Sequence, residues 1–352
     1  MASITSDTTM KQSEWLQIGN ATEEGTLKIN ENATKPMPGP EEVLIKVKAL
    51  SINPVDWKMI EGKFGSKGDF PRGWGTDVAG TIESLGENCD DRLKVGDEVL
   101  SDAIRCGPMA EYCVVALNRV SLKPKNVSFQ DCVGVSLTGL TALQAIRDHG
   151  GFKEGQRICI FGGSGGVGTA AIQLAKILGA SYVSTTSTNE SLCTRLGSDK
   201  VIDYKTSKDI AADLLGNSSD KKDAKYDMVF DTVGGYDHWQ IGQKILKSST
   251  GRYITICGDG ISLPKMIASM FWRKFVSNFG NPGYHLFLTK QSVPDLDYLC
   301  KVMEDGKLTV VMDHIENKDN GGKIYQFNDA SIVEMIAKLK TNRSKGKLLM
   351  EM

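Results

Sequence analysis

The pattern of apolar and polar positions changes character once along the chain, near Asp131. Ahead of it, residues 1–40 are mostly polar and close on Lys35-Pro-Met-Pro-Gly-Pro40, which predicts an irregular, turn-rich entry. Residues 42–52 alternate, with β-branched side chains, and predict a strand. Asn53 and Pro54 follow, with Pro54 suited to the first position of a short helix. Residues 61–77 carry glycine and charge and predict a loop. Short strands are then expected at 78–85, 95–100 and 110–115, a spacing typical of a compact, mainly β domain.

Beyond Asp131 the apolar segments lengthen and alternate between two periods. A helix is predicted over 137–149, and strands at 158–161, 182–187, 200–204, 226–231, 251–258 and 284–289. A helix over 190–196 and a polar, partly helical stretch over 206–225 fall between them. Strands alternating with helices imply a doubly wound parallel sheet from about residue 133 to 290. The tail, 291–352, is expected to hold a helix, a strand at 307–312, a helix at 329–339 and a strand at 347–350.

One stretch of this second region carries chemistry. The apolar run Ile158-Cys-Ile-Phe161 leads into Gly162, Gly163, Gly165, Gly166 and Gly168, and then into a helical repeat of Ala171, Ile172, Leu174, Ala175 and Leu178. Gly163, Gly165 and Gly168 satisfy G-x-G-x-x-G in a strand–turn–helix context. Such glycines permit a tight turn and close approach to a pyrophosphate, which the helix N-terminus then faces. An NAD site would place Asp or Glu about 20 residues further on. Here that position is Val183, and the strand runs out through Ser184-Thr-Thr-Ser-Thr-Asn189 without an acid. Small hydroxyl residues leave room for a 2′-phosphate, so NADPH is the expected dinucleotide. Glu190, beyond the strand end, argues for NAD; Arg195 reads either as added charge or as a solvated helix face.

Composition narrows the classes. A chain of 352 residues suggests about two domains. Net charge is −1 with basic residues dispersed, which argues against a nucleic-acid or membrane-surface partner. The eight cysteines form no C-x-x-C pair, the N-terminus has no basic-then-apolar leader, and no apolar run approaches the ~20 residues of a membrane span. A soluble cytoplasmic protein is expected. The four histidines lack metal-ligand spacing, G-x-S-x-G is absent, and no lysine follows the glycines as in a P-loop. Hydride chemistry carried by a nicotinamide remains.

Ile52-Asn-Pro-Val-Asp-Trp-Lys58, Gly75-Thr-Asp-Val-Ala-Gly80, Val95-Gly-Asp-Glu-Val99, Leu140-Thr-Ala142, Gly165-Gly-Val-Gly168, Val201-Ile-Asp-Tyr204, Phe230-Asp-Thr-Val-Gly-Gly235 and Arg343-Ser-Lys-Gly-Lys347 occur in chain order. Together they resemble the zinc-free quinone oxidoreductase (zeta-crystallin-like) branch of the medium-chain dehydrogenase/reductase superfamily, from about Glu41 to Met352. Zinc members of the superfamily place Cys near Asn53 and Gly-His-Glu near Gly75-Thr-Asp77; this chain has neither. The resemblance implies an α/β fold. A GroES-like β-rich catalytic domain would span 1–132 and 291–352, with a Rossmann domain over 133–290 and a homodimer or homotetramer formed through its sheet edge near 284–289.

The resemblance also implies residue roles. Gly163, Gly165, Gly166, Val167 and Gly168 would meet the pyrophosphate, and Ser187, Thr188, Asn189 and Tyr204 the 2′-phosphate. Thr232 and Val233 would lie at the adenosine or ribose, Cys257 and Gly258 near the nicotinamide, and Phe287, Leu288 and Thr289 at its carboxamide. Asn342 and Lys347 would belong to a tail segment closing over the cofactor. For catalysis the candidates are Asn53, Trp57 and Lys58, with Asn53 or Lys58 donating to the oxygen where charge builds, or Lys58 holding the cofactor ribose. The activity implied is NADPH-dependent, metal-free reduction of quinones or α,β-unsaturated carbonyls. The alternatives are an enoyl-thioester reductase and a non-catalytic NADPH-binding module.

Overall fold

The structure, a computed structural model, describes residues 8–65, 68–216, 224–257, 263–277, 282–320 and 322–352. Contacts divide the chain into two compact units, Met1–Leu137 with Gln291–Met352, and Thr138–Lys290.

In the first unit the long strand Glu42–Ser51 is the organiser. It pairs antiparallel with Asp77–Leu85, with Tyr112–Ala116 and with Leu349–Glu351 near the C-terminus. Asp77–Leu85 continues the sheet to Glu98–Asp102, and that strand to Val120–Leu122. Inward positions of these strands join Trp15, Ile52, Ile60, Leu93 and Tyr325 in one apolar core.

The structure corrects the expected entry. Thr9–Trp15 and Leu27–Thr34 are strands, paired antiparallel, and Thr9–Trp15 also pairs with Arg72–Gly73 inside the expected loop. Met10, Ser13 and Trp15 point inward from one, Ile29 and Ala33 from the other, while Lys11 and Glu31 pair across the solvent face at 2.7 Å. The expected strand at 307–312 does not form; Met312 makes a single parallel bridge to Lys347.

The second unit is built on six parallel strands. Their order is Lys200–Ile202, Tyr182–Thr186, Arg157–Phe161, Met228–Asp231, Arg252–Thr255, Gly283–Leu286. Phe161, Val183, Val229, Phe230, Tyr253 and Ile254 are almost fully buried, as expected of strands covered on both faces. The helix expected at 137–149 is an α-helix, Val135–Leu143, followed by a wider π-type turn, Gln144–His149. The Gln144 amide exchanges two hydrogen bonds with the Lys290 backbone, at 2.7 and 2.9 Å. The sixth strand stops at Leu286, so Phe287 to Thr289 follow the sheet rather than belong to it. Helices Tyr236–Ile245 and Leu263–Ser277 complete what the sequence pattern leaves open. No helix among the described residues is long and apolar enough to cross a membrane.

Close packing at the first strand's exit leaves no room for side chains. A Cβ on Gly168 would stand 2.1 Å from the Gly162 carbonyl oxygen, a backbone atom, whereas one on Gly165 would meet that oxygen only at 3.5 Å. Gly168→Ala is therefore expected to cost about 1–3 kcal/mol in chemical denaturation. Gly165→Ala should leave the denaturation midpoint near wild type.

Candidate active site

The glycine-rich turn sits where the strand order reverses direction, between Arg157–Phe161 and Met228–Asp231, the crevice at which open parallel sheets bind ligands. Gly162 N–H donates to Thr186 Oγ1 and Gly163 N–H to the Thr186 carbonyl, both at 3.1 Å, which folds the turn over the second strand. A Cβ on Gly163 would lie 2.1 Å from Thr185 Oγ1. Gly165 caps the helix Gly166–Ile177, whose first recorded bond runs from Thr169 N–H to the Gly165 carbonyl at 2.9 Å. The N–H groups of Gly166, Val167 and Gly168 precede that bond, in the position where helices receive phosphate.

Asp231, which is not among the residues expected at the site, organises the neighbouring loop. Its Oδ1 accepts from Val233 and Gly234 N–H at 2.9 Å, and its Oδ2 from the Tyr253 hydroxyl at 2.6 Å. Burial and the adjacent carboxylate hold the Tyr253 phenol well above its ordinary pKa. Thr232 Oγ1 donates to the Phe161 carbonyl at 2.7 Å, so the two strand ends are tied together. Val233 is half-exposed above them. Cys257 Sγ reaches the Thr232 carbonyl at 3.3 Å, bringing a third strand end to the same edge. The sequence signal for Asp231 is its place as the last residue of an apolar strand before Thr-Val-Gly-Gly.

The second strand's end differs from expectation. It stops at Thr186, and Ser187 is buried, its Oγ accepting from Asn189 N–H at 3.0 Å and lying in hydrogen-bond contact with Cys193. Asn189 caps the helix Glu190–Arg195 through Leu192 N–H at 3.3 Å. Thr188 and Tyr204 are exposed, as is Lys205, an ammonium directly after Tyr204 that no motif in the sequence marks. Phe287 is buried against the His149 ring at 4.3 Å, Leu288 is exposed, and Thr289 Oγ1 bonds Thr141 Oγ1 at 2.7 Å. Gly258 lies outside the described residues.

The first unit gathers Asn53, Asp56, Thr76, Asp77 and Lys347, all almost fully buried, into one polar cluster. Lys347 was expected in a segment closing over the cofactor. Its Nζ instead donates to the Ile52 carbonyl at 3.0 Å, to Asp77 Oδ2 at 2.8 Å and to Asn53 Oδ1, which uses all three of its hydrogens. Asn53 Nδ2 donates to Thr76 Oγ1 at 2.6 Å and Asp77 Oδ2 at 2.8 Å, so its amide has no donor left for a substrate oxygen. That geometry makes Asn53 a structural hub rather than an oxyanion donor. Asp56 accepts from Asn53 N–H at 2.7 Å and Thr76 Oγ1 at 3.0 Å, the acidic half of a capping box for Pro54–Ile60. Asp77 Oδ1 accepts from Leu137 N–H at 3.0 Å.

Trp57 and Lys58 ride on the helix that this cluster starts. Both are partly exposed, with the Lys58 ammonium 5.7 Å from the Trp57 ring and those of Lys63 and Lys340 at 4.2 and 5.5 Å. Asn342 is exposed in a left-handed turn, φ 55°, after the helix Asp329–Lys340.

A carboxyl-rich cluster around one ammonium has a proton to place. Burial, reinforced by the Asp77 charge, pushes Asp56 up to about 7 from 3.8 despite the bonds it accepts. Asp102, opposite Asp77 in the sheet, rises to about 6 for the same two reasons. Both folded values lie above the unfolded one, so the native state holds protons the unfolded chain releases. The associated stability is fully present below about pH 4 and is lost as pH rises through the folded values. Asp56→Asn should flatten the fall in unfolding free energy between about pH 4 and 7, leaving the part from Asp102 that ends near 6. Lys347→Met strands the buried Asp77 carboxylate and should destabilise by about 3–5 kcal/mol in the same titration.

Two family models match the chain: Alcohol dehydrogenase GroES-like domain over residues 39–154 and Zinc-binding dehydrogenase over 196–350. In the buried cluster the amide and carboxylate oxygens close around the Lys347 ammonium, so a cation already occupies their centre. Among the described residues no group of three His, Cys, Asp or Glu could hold a metal ion. The chain is 32% identical to the trans-enoyl reductase pgmF of Aspergillus terreus, over 93% of this chain and 92% of that protein. It is also 32% identical to a 2-methylene-furan-3-one reductase of Solanum lycopersicum, over 92% and 75%. Among solved structures, the quinone oxidoreductase from Coxiella burnetii superposes with a TM-score of 0.78 at 27% identity, over 97% and 99% of the two chains. With fold, motifs and relatives in agreement, the chain belongs to the medium-chain dehydrogenase/reductase superfamily, among its quinone oxidoreductase-like members.

Proposed function

We propose that the protein is an NADPH-dependent, metal-free reductase of quinones or α,β-unsaturated carbonyls. The observation that carries this reading is the Gly162–Gly168 turn at the switch point of the parallel sheet, with the first-turn amides of Gly166–Ile177 ahead of any intrahelical bond. The names of relatives support the chemistry: an NADPH-dependent alkenal/one oxidoreductase of Arabidopsis thaliana is 32% identical over 92% of this chain. When bound, the nicotinamide supplies a hydride to the acceptor's electrophilic carbon.

The chain's own residues bind and orient. Gly163, Gly165, Gly166, Val167 and Gly168 hold the pyrophosphate, and Thr232, Val233 and Cys257 line the adjoining strand ends. Thr188, Tyr204 and Lys205 are the exposed groups available to a 2′-phosphate, while Ser187 and Asn189 shape their loop. Lys58 is the donor to the acceptor oxygen, with Trp57 beside it and Asn53 and Lys347 positioning the helix that carries both. We assign the catalytic role to the unit holding 1–137 and 291–352 and the nucleotide to 138–290.

Two further assignments belong to the same reading. Gly283–Leu286 is the outermost strand of its sheet, and its open edge suits pairing with a second copy into a homodimer. All eight cysteines are free thiols, which suits a reducing cytoplasm. A second reading, reduction of enoyl thioesters, is favoured by the similarity to trans-enoyl reductase pgmF along nearly the whole chain.

The test is nucleotide oxidation followed by near-ultraviolet absorbance, with a panel of quinones, 2-alkenals and enoyl thioesters. Turnover with NADPH far exceeding that with NADH is expected for quinones or alkenals, and Lys58→Met should lower kcat/KM about a hundredfold. Lys205→Glu should raise the KM for NADPH and leave that for NADH unchanged. Fast turnover confined to thioesters would move the assignment to the second reading. NADPH binding with no turnover on any acceptor would overturn the enzymatic one.

A further inference from the structure

The order of the parallel strands divides the sheet of the second unit into two halves. Arg157–Phe161, Tyr182–Thr186 and Lys200–Ile202 lie on one side of the switch point, and Met228–Asp231, Arg252–Thr255 and Gly283–Leu286 on the other. In a doubly wound sheet each half receives one mononucleotide of a dinucleotide. Thr188, Tyr204 and Lys205, the exposed groups offered to the 2′-phosphate, follow strands of the first half. On the NADPH reading the nicotinamide mononucleotide therefore falls to the second half, whose last strand runs on into Phe287-Leu-Thr-Lys290.

That segment has left the sheet. Its last bond to a strand runs from Phe287 N–H to the Thr255 carbonyl, at 3.2 Å. Past that point, side chains from one helical stretch hold it. Thr141 Oγ1 and Thr289 Oγ1 share a hydrogen bond of 2.7 Å. The buried Gln144 amide accepts from Lys290 N–H at 2.9 Å and donates to the Lys290 carbonyl at 2.7 Å, the exchange that a paired strand residue would otherwise make. The His149 ring packs on Phe287 at 4.3 Å and on His285 at 4.7 Å. Thr141 and Gln144, three residues apart, share a face of an α-helix. His149 lies five beyond Gln144, which in an α-helix is about 140° further round the axis. The π-type turn closes that gap, since Gly150 N–H reaches back five residues to the Ala145 carbonyl at 2.8 Å. Such turns are rare and gather at functional sites. Here the turn brings His149 to the segment that Gln144 already grips.

Between these holds Leu288 is 78% exposed, and among the described residues no hydrogen bond within the protein engages its N–H or C=O. A backbone donor and acceptor fixed beyond the last strand complement a primary carboxamide, which offers an acceptor oxygen and a donor nitrogen.

We propose that Gln144 is a positioning residue for the nicotinamide: through the Lys290 backbone, with Thr141 and His149 beside it, it fixes the Phe287–Thr289 main chain against which the carboxamide binds. The inference rests on the NADPH reading. The experiment is calorimetric titration of the full-length chain with NADPH and with 2′-phospho-ADP-ribose, the same nucleotide without its nicotinamide. Wild type is expected to bind NADPH the more tightly. Gln144→Met, which nearly keeps the side-chain volume and loses both hydrogen bonds, should weaken NADPH binding about tenfold and leave 2′-phospho-ADP-ribose unchanged. Thr141→Val should weaken NADPH binding about threefold, again sparing the shorter nucleotide, and it decides the question if Gln144→Met fails to fold. A merely structural contribution moves both nucleotides together. Equal weakening of the two, or no change in either, overturns the proposal. So does wild type that binds NADPH no more tightly than 2′-phospho-ADP-ribose. Wild type that binds neither overturns the NADPH reading, and this inference with it.

Discussion

The first unit depends on the buried Lys347 ammonium. Lys347 arrives after the whole second unit has been traversed, yet its Nζ bonds groups 294 and 270 residues away, on Asn53 and Asp77. Removing an ammonium from water costs several kcal/mol, which is offset only if every N–H finds an acceptor and a carboxylate lies close. Both conditions are met here, by a carbonyl, an amide oxygen and a carboxylate. Ion pairs of this kind add little net stability against an apolar substitute, so what Lys347 contributes is registry. It fixes the C-terminal strand against Glu42–Ser51 and the start of the helix bearing Trp57 and Lys58 in the same set of bonds.

The second unit solves a different problem, that of making a ligand crevice from close-packed backbone. Parallel strands end together, and the loops leaving them must stay apart enough to admit a dinucleotide. Glycine acts at the tightest approaches, where Gly163 and Gly168 let the helix and second strand close in. Asp231 acts at the widest turn, where it holds the neighbouring loop by that loop's own N–H groups. The buried carboxylate is tolerated because two amides and a phenol solvate it.

Legibility in the sequence followed the type of signal. The parallel sheet was readable because Ile158–Phe161 and Met228–Asp231 are uninterrupted apolar runs and the glycines between them sit at fixed spacing. Thr9–Trp15 was not, since one of its inward positions is Ser13, a polar residue satisfied by Trp74 Nε1 at 2.9 Å, and its other face is charged. Lysine is ordinarily exposed, so nothing local to Lys347 pointed inward; the reason lies in acceptors from other parts of the chain. Ser187 illustrates a one-residue effect. The strand ends at Thr186, and the next hydroxyl turns toward Asn189 and Cys193 instead of outward. Spacing identified the glycine-rich turn, but not which of the surrounding hydroxyls remain exposed.

The same limit applies to charge. A net value of −1 averages over a chain that keeps its cations and anions in different places. Around Asn53 the local excess is anionic, with Asp56, Asp77 and Asp102 near one lysine, and the fold answers by raising carboxyl pKa values until a proton is retained. On the helix Leu263–Ser277 the fold sets the Arg273 guanidinium among three aromatic rings and leaves Lys274 in solvent. Excess charge on buried carboxyls is neutralised within the protein, by protonation.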